Sequence, residues 1–61
     1  MREWLKEIRK EKGLTQGECA TRCGISRQYY NFIEMGVRDC PVKTAKKIAE
    51  VLGFRWERFF E

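Results

Sequence analysis

Arg27, Gln28, Asn31 and Phe32 fall within one short stretch, CGISRQYYNFIEMG, from Cys23 to Gly36. Its outward positions carry Arg, Gln, Tyr, Asn and Phe, where a merely solvated helix carries Lys and Glu. A guanidinium and two side-chain amides offer directed hydrogen bonds, and the aromatic rings offer apolar contact. Such groups suit a helix that is packed away or one that reads another surface, and residue type alone leaves both open.

Other side chains with chemical potential are fewer. The chain has three cysteines and no histidine. Cys19 and Cys23 share one helical face at i, i+4 spacing, while Cys40 is distant in sequence. An odd number precludes a complete disulfide framework, and a zinc site would need a fourth ligand from a carboxylate or a second chain. The expectation is reduced thiols acting as small hydrophobes, with no metal and no cofactor. No Ser has a plausible base, no glycine-rich phosphate loop is present, and the carboxylates are spaced as helix-surface Glu. An enzyme is not expected.

These groups must be carried by 61 residues, the length of one small domain spanning 1–61. A domain this size buries only roughly 60% of its unfolded surface, so it must be compact. With 43% hydrophobic and 36% charged residues the chain reads as globular. No apolar run reaches the ~18 residues of a membrane span, and MREWLKEIRKEKG lacks a signal-peptide core. A cytoplasmic location is the default. The net charge of +4 suits a polyanionic partner. Residues 1–14 and 41–61 each contribute +2, and residues 15–40 contribute zero. Contact geometry must therefore matter more than raw charge in the central segment.

Five short helices follow from periodicity and punctuation. From about Arg2 to Lys12, the apolar residues Trp4, Leu5 and Ile8 make an amphipathic face that Gly13 ends. Thr15 and Glu18 form a T-x-x-E capping box for a helix over about Gln16–Cys23, burying Cys19, Ala20 and Cys23, and Gly24 closes it. Ser26 is an N-cap for a helix from Arg27 to Ile33 or Glu34, with Tyr30 and Ile33 turned to the core beside Ile25. A loop over Met35–Cys40 leads to Pro41, which suits a first helical turn. A fourth helix over about Val42–Leu52 has Val42, Ala45, Ile48, Ala49 and Leu52 as its apolar stripe, with Lys43, Lys46, Lys47 and Glu50 in solvent. Phe54 to Glu61 makes a last turn or short helix whose aromatics are mostly core.

Two short helices about a glycine turn, at roughly 16–34, form a helix-turn-helix unit. Ala20 lets the helices cross closely, and the N-terminal end of the second is left free to enter a major groove. Here the chain resembles the Cro and phage-repressor helix-turn-helix domains, also called the xenobiotic-response-element family. The resembling residues are LKEIRKEKGLTQGECA, GISRQYYNFIEMGVRDC and TAKKIAEVLGF, nearly the whole chain. The resemblance implies an all-α, lambda-repressor-like DNA-binding domain. The chain departs from the family at Cys19 and Cys23, where larger aliphatics are usual, and at Gly17, where Glu or Ala is commoner. Val37 replaces a basic residue and Cys40 a proline, which leaves Arg38 to supply the loop's phosphate contact.

Carried over by position, the resemblance implies that Arg27, Gln28, Asn31 and Phe32 face DNA bases. Arg suits guanine, Gln adenine, and Phe a thymine methyl. Gln16, Tyr29, Arg38 and Lys43 would contact phosphates. Arg9 would pair with Glu34, a pairing that the helical positions of both residues also favour. Plainer readings stand beside these. Phe32 also suits packing on Trp4 or the loop, or a protein partner; Tyr29 suits partial core packing; the lysine run suits a solvated face. The function so implied is a small sequence-specific regulator, a repressor of bacterial or mobile-element origin. It would bind double-stranded DNA at a pseudo-palindromic operator as a homodimer joined through residues 55–61. The alternative is a protein-interaction module on the same fold, such as an antitoxin or adaptor.

Overall fold

Leu5, Cys19, Tyr30, Ile33, Ala45 and Ile48 are completely buried. They come from four different helices, so the helices can form only by packing together; none is long enough to be stable alone. A computed structural model describes all 61 residues. It contains α1 (Glu3–Glu11), α2 (Gln16–Cys23), α3 (Arg27–Met35) and α4 (Val42–Leu52), followed by a 3-10 helix at Trp56–Phe60. There is no strand. The expected fifth helix is thus this 3-10 segment. Its ring-bearing residues pack against α1 and α4 rather than extending a regular α-helical stripe.

Local chemistry sets the boundaries. Thr15 Oγ1 accepts from Glu18 N–H while Glu18 Oε1 accepts from Thr15 N–H, completing the capping box of α2. Those hydrogen bonds, that of the Thr15 backbone foremost, hold the Glu18 carboxyl below its ordinary range. Gly24 terminates α2 at φ +72°, a conformation that strains any residue with a Cβ. Its N–H and that of Ile25 return to the carbonyls of Thr21 and Ala20. This reversal brings α3 across α2. Ser26 then caps α3 by accepting from Tyr29 N–H.

Three boundary details differ from the sequence expectation. α3 runs on through Met35, because Gly36 rather than Met35 supplies the left-handed stop. Pro41 is the extended N-cap of α4, not its first-turn residue. Val42 is 46% exposed and so leaves the apolar stripe of α4, whose buried face is Ala45, Ile48, Ala49 and Leu52.

The cysteines are free and buried. Burial pushes the Cys40 thiol up to about 11, against a smaller downward pull from Arg2. No cluster of three or more metal-ligating side chains is present. Phe59 is buried against Trp4 and Phe54, with ring centroids 5.3 and 5.6 Å away, whereas Phe60 is 54% exposed.

Candidate nucleic-acid interface

The outward face of the α2–α3 unit is built on a buried ion pair. Arg9 Nε donates to Glu34 Oε2 at 2.9 Å, and Arg9 Nη2 donates to Glu34 Oε1 at 3.0 Å. Arg9 Nη1 also donates to the Leu14 carbonyl at 2.8 Å, tying the α1–α2 turn to the same fork. The side chains are only 9% and 3% exposed, so neither charge has much access to water. The hydrogen bond to Glu34 holds the Arg9 pKa above its ordinary value. Burial alone pushes the Glu34 carboxyl up, but the hydrogen bonds of Arg9, foremost, and of Gln16 outweigh it, and the carboxyl lies below its usual range. The Tyr30 hydroxyl is buried beside Glu34 and Cys19 yet stands in hydrogen-bond geometry with neither, and burial raises its pKa.

Gln16 opens α2 and Asn31 lies mid-way along α3. Gln16 Nε2 donates to Asn31 Oδ1 at 2.9 Å and to Glu34 Oε1 at 3.3 Å. A side-chain contact from Gln16 to a phosphate would need an N–H, because phosphate oxygens only accept. Both N–H groups of Gln16 are already engaged within the protein. The Gln16 and Gly17 backbone N–H groups, unlike that of Glu18, which the Thr15 cap takes up, remain at the open helix end, where an anion is favoured.

Arg27 and Gln28 are exposed and their side chains donate no hydrogen bond within the chain. The Arg27 stem lies across Gly17: a Cβ placed there would meet Arg27 Cδ at 3.8 Å. Gln16, Arg27, Gln28 and Asn31 together line one shallow depression. Asn31 is half-buried and directs Nδ2 toward Met35 Sδ at 3.4 Å. Tyr29 is half-buried and packs on the core.

Phe32 is also half-buried, and Arg38 places its guanidinium 5.9 Å from the ring centroid. Of its readings, packing on the loop is the one the structure displays. Arg38 is thereby held beside α3 rather than projecting alone from the loop. Lys43 is exposed in the first turn of α4. The structure brings Gln16, Arg27, Gln28 and Asn31 into one group and Tyr29, Phe32 and Arg38 into a second, adjoining group that shares Gln28; Lys43 lines neither.

Arg2 escaped the sequence reading. Its side chain donates to the Ile33 carbonyl and its backbone N–H to the Glu34 carbonyl at 2.8 Å. Its guanidinium also lies 5.5 Å from the Phe59 ring centroid. The N-terminal segment is thus pinned to the end of α3. A basic residue preceding an amphipathic helix is too common a pattern to announce this.

An exposed polar edge on α3, whose opposite edge is fully buried, crosses the capped α2 at a glycine turn, the arrangement of a helix-turn-helix unit. The chain belongs to the helix-turn-helix family HTH_3, whose model matches residues 5–59. The domain is similar to an HTH-type transcriptional regulator, YqaF, described as uncharacterized, from Bacillus subtilis (strain 168). The two are 54% identical over 61 residues, all of this chain and 80% of the relative. An uncharacterized HTH-type transcriptional regulator of Archaeoglobus fulgidus is 37% identical over 60 residues, 98% of this chain and 86% of the relative. The SPbeta prophage-derived regulator YonR of Bacillus subtilis, likewise described as uncharacterized, is 39% identical over 51 residues, 84% of this chain and 47% of the relative. No solved structure matches the chain significantly. No helix is long and apolar enough to cross a membrane.

Proposed function

We propose that this helix-turn-helix domain is a sequence-specific transcriptional regulator that inserts α3 into the major groove of double-stranded DNA. The observation that carries this reading is the division of α3. Tyr30 and Ile33 are wholly buried, while Arg27 and Gln28 are exposed with their donors free. Rigid attachment by one face and unspent hydrogen-bonding groups on the other are what base readout requires.

Arg27 and Gln28 are the principal base-reading side chains, and Asn31 and Phe32 border them. At the rim, Tyr29, Arg38 and Lys43 contact phosphate, as do the backbone N–H groups at Gln16. The net charge of +4 favours the polyanion. One domain offers few base contacts, so useful affinity calls for a homodimer whose recognition helices lie about 34 Å apart on a pseudo-palindromic operator. Exposed Phe60 and half-buried Trp56 make the segment 55–61 the best-suited contact. The reading extends to a repressor in the bacterial cytoplasm and nucleoid, of mobile-element origin. The prophage-derived name of one relative supports that origin.

The deciding experiment replaces Arg27 and Gln28 together by Ala. Loss of specific DNA binding with an unchanged helical circular-dichroism spectrum supports the reading. Full specific binding by the folded double variant overturns it. A second reading, a protein-interaction module, draws on the exposed apolar residues Met35 and Val37 at 43% and 66% exposure. It would be favoured if the wild-type domain had no salt-dependent affinity for any duplex.

A further inference from the structure

We infer that Glu34 is a positioning residue whose carboxylate sets the polarity of readout at Asn31, through Gln16, so that position 31 presents a hydrogen-bond donor to DNA. This inference deepens the DNA-reading proposal and rests on it.

A side-chain amide has two nearly isosteric ends, and only its partners decide which end points where. Glu34 is an ionised carboxylate gripped by Arg9 through both oxygens, and it can only accept. The Gln16 atom 3.3 Å from Glu34 Oε1 must therefore be the amide nitrogen, because a carbonyl there would set acceptor against acceptor. That nitrogen has a second N–H, which meets Asn31 at 2.9 Å. The Asn31 atom receiving it must be the carbonyl oxygen, because an NH2 group there would set donor against donor. Asn31 Nδ2 is consequently turned away from Gln16. Within the chain it meets only the sulfur of half-exposed Met35 at 3.4 Å, a weak acceptor.

The polarity thus passes from carboxylate to amide, and from amide to amide, ending on an N–H group at the rim of the depression lined by Gln16, Arg27, Gln28 and Asn31. Gln28 has no such constraint: its side chain is exposed and donates no hydrogen bond within the chain, so it keeps the freedom to present either end.

A fixed donor selects by chemistry. Purine N7, guanine O6 and thymine O4 are acceptors in the major groove, whereas cytosine offers only its N4 amino donors. At the base that Asn31 approaches, cytosine is the disfavoured choice. The substitution Asn31→Asp keeps an oxygen facing Gln16 and replaces the outward donor by an acceptor. It reverses the preference toward cytosine at that one position. The substitution Glu34→Gln removes the obligate acceptor at the root of the chain, so that both amide orientations become allowed and the preference flattens.

The test is selection of binding sites from random duplex DNA by the full chain, comparing wild type, Asn31→Asp and Glu34→Gln. In wild type, one half-site position should disfavour cytosine by roughly tenfold, the usual cost of one mismatched contact. Asn31→Asp should make cytosine the preferred base there and leave the positions read by Arg27 and Gln28 as they were. Glu34→Gln should bring that position within about twofold among the four bases. A uniform loss of affinity in Asn31→Asp with all base preferences retained would overturn the inference while leaving the DNA-reading proposal intact. Absence of any base preference in wild type would overturn the DNA-reading proposal itself, and the inference with it.

A measurement on the free wild-type protein stands even if a variant fails to fold. The Gln16 side-chain N–H signals should exchange with solvent at least tenfold more slowly than those of Gln28. Equal exchange rates for the two amides would refute the relay.

Discussion

Arg9 and Glu34 sit 25 residues apart in the chain and meet in a two-point ion pair, 2.9 and 3.0 Å, that fastens α1 to the end of α3. Removing one partner leaves the other charge desolvated. Arg9→Ala should therefore cost about 3–5 kcal/mol, a large share of what so small a domain possesses. Replacing both residues with apolar side chains, as in Arg9→Met with Glu34→Leu, should cost less than either single truncation. Chemical denaturation of the three variants checks the ordering, and an unchanged midpoint for Arg9→Ala would reduce the pair to a surface contact.

The same pair gives stability a pH dependence. The Glu34 carboxyl is lowered from 4.5 in the fold, so its ionised form is the stabilising one. That contribution is complete above pH 4.5 and is lost as pH falls through the lower folded value. Cys40 has the opposite sign. Its thiol is raised from 9.0 to about 11, so its contribution is complete below pH 9.0 and is lost as pH rises toward about 11. Tm measured against pH should fall at both ends, and the gap in Tm between wild type and Cys40→Ala should narrow on the alkaline side.

Two glycines of the same helix, one in its first turn and one at its C-terminal cap, should respond oppositely to alanine. Gly24 has φ +72° and open space around it, so Gly24→Ala pays a backbone penalty alone, about 1 kcal/mol. Gly17 lies inside α2, and its added Cβ would make an ordinary contact with Arg27 at 3.8 Å. Gly17→Ala should be neutral or stabilising by up to about 1 kcal/mol. Thermal melts of the two variants give the comparison directly.

Phe59 and Phe60 separate core from surface in the last turn. Phe59→Ala should destabilise the domain by about 3 kcal/mol, because it empties the site between Trp4 and Phe54. Phe60→Ala should leave Tm within a few degrees and weaken self-association, as read by sedimentation. Unaltered dimerisation in Phe60→Ala would move the proposed contact away from residues 55–61.

Much of this domain is legible along the chain. Thr15 and Glu18, Ser26, Gly24 and Gly53 mark helix ends through interactions within four residues, so their chemistry is visible in the sequence. The i, i+3 and i, i+4 spacing of Leu5 with Ile8, Tyr30 with Ile33, and Ala45 with Ile48 and Ala49 likewise names the buried faces. Gln16 was harder to read. Its place at the start of α2 suggests a phosphate, but its donors turn inward to Asn31 and Glu34, residues 15 and 18 positions away. The spacing of Asn31 and Glu34 on one face of α3 was the available signal, and it becomes meaningful only once α2 is known to cross that face.

Sequence by itself determined the four α-helices, the turn at Gly24 and the exposure of Arg27 and Gln28, because these follow from local hydrogen bonding and periodic burial. Tertiary structure alone decided how Phe32 meets Arg38, how Arg2 closes over Ile33 and Glu34, and which partners the Gln16 and Asn31 amides meet. Those outcomes depend on where helices cross, and a crossing is set by the packing of the whole core rather than by any one stretch of chain.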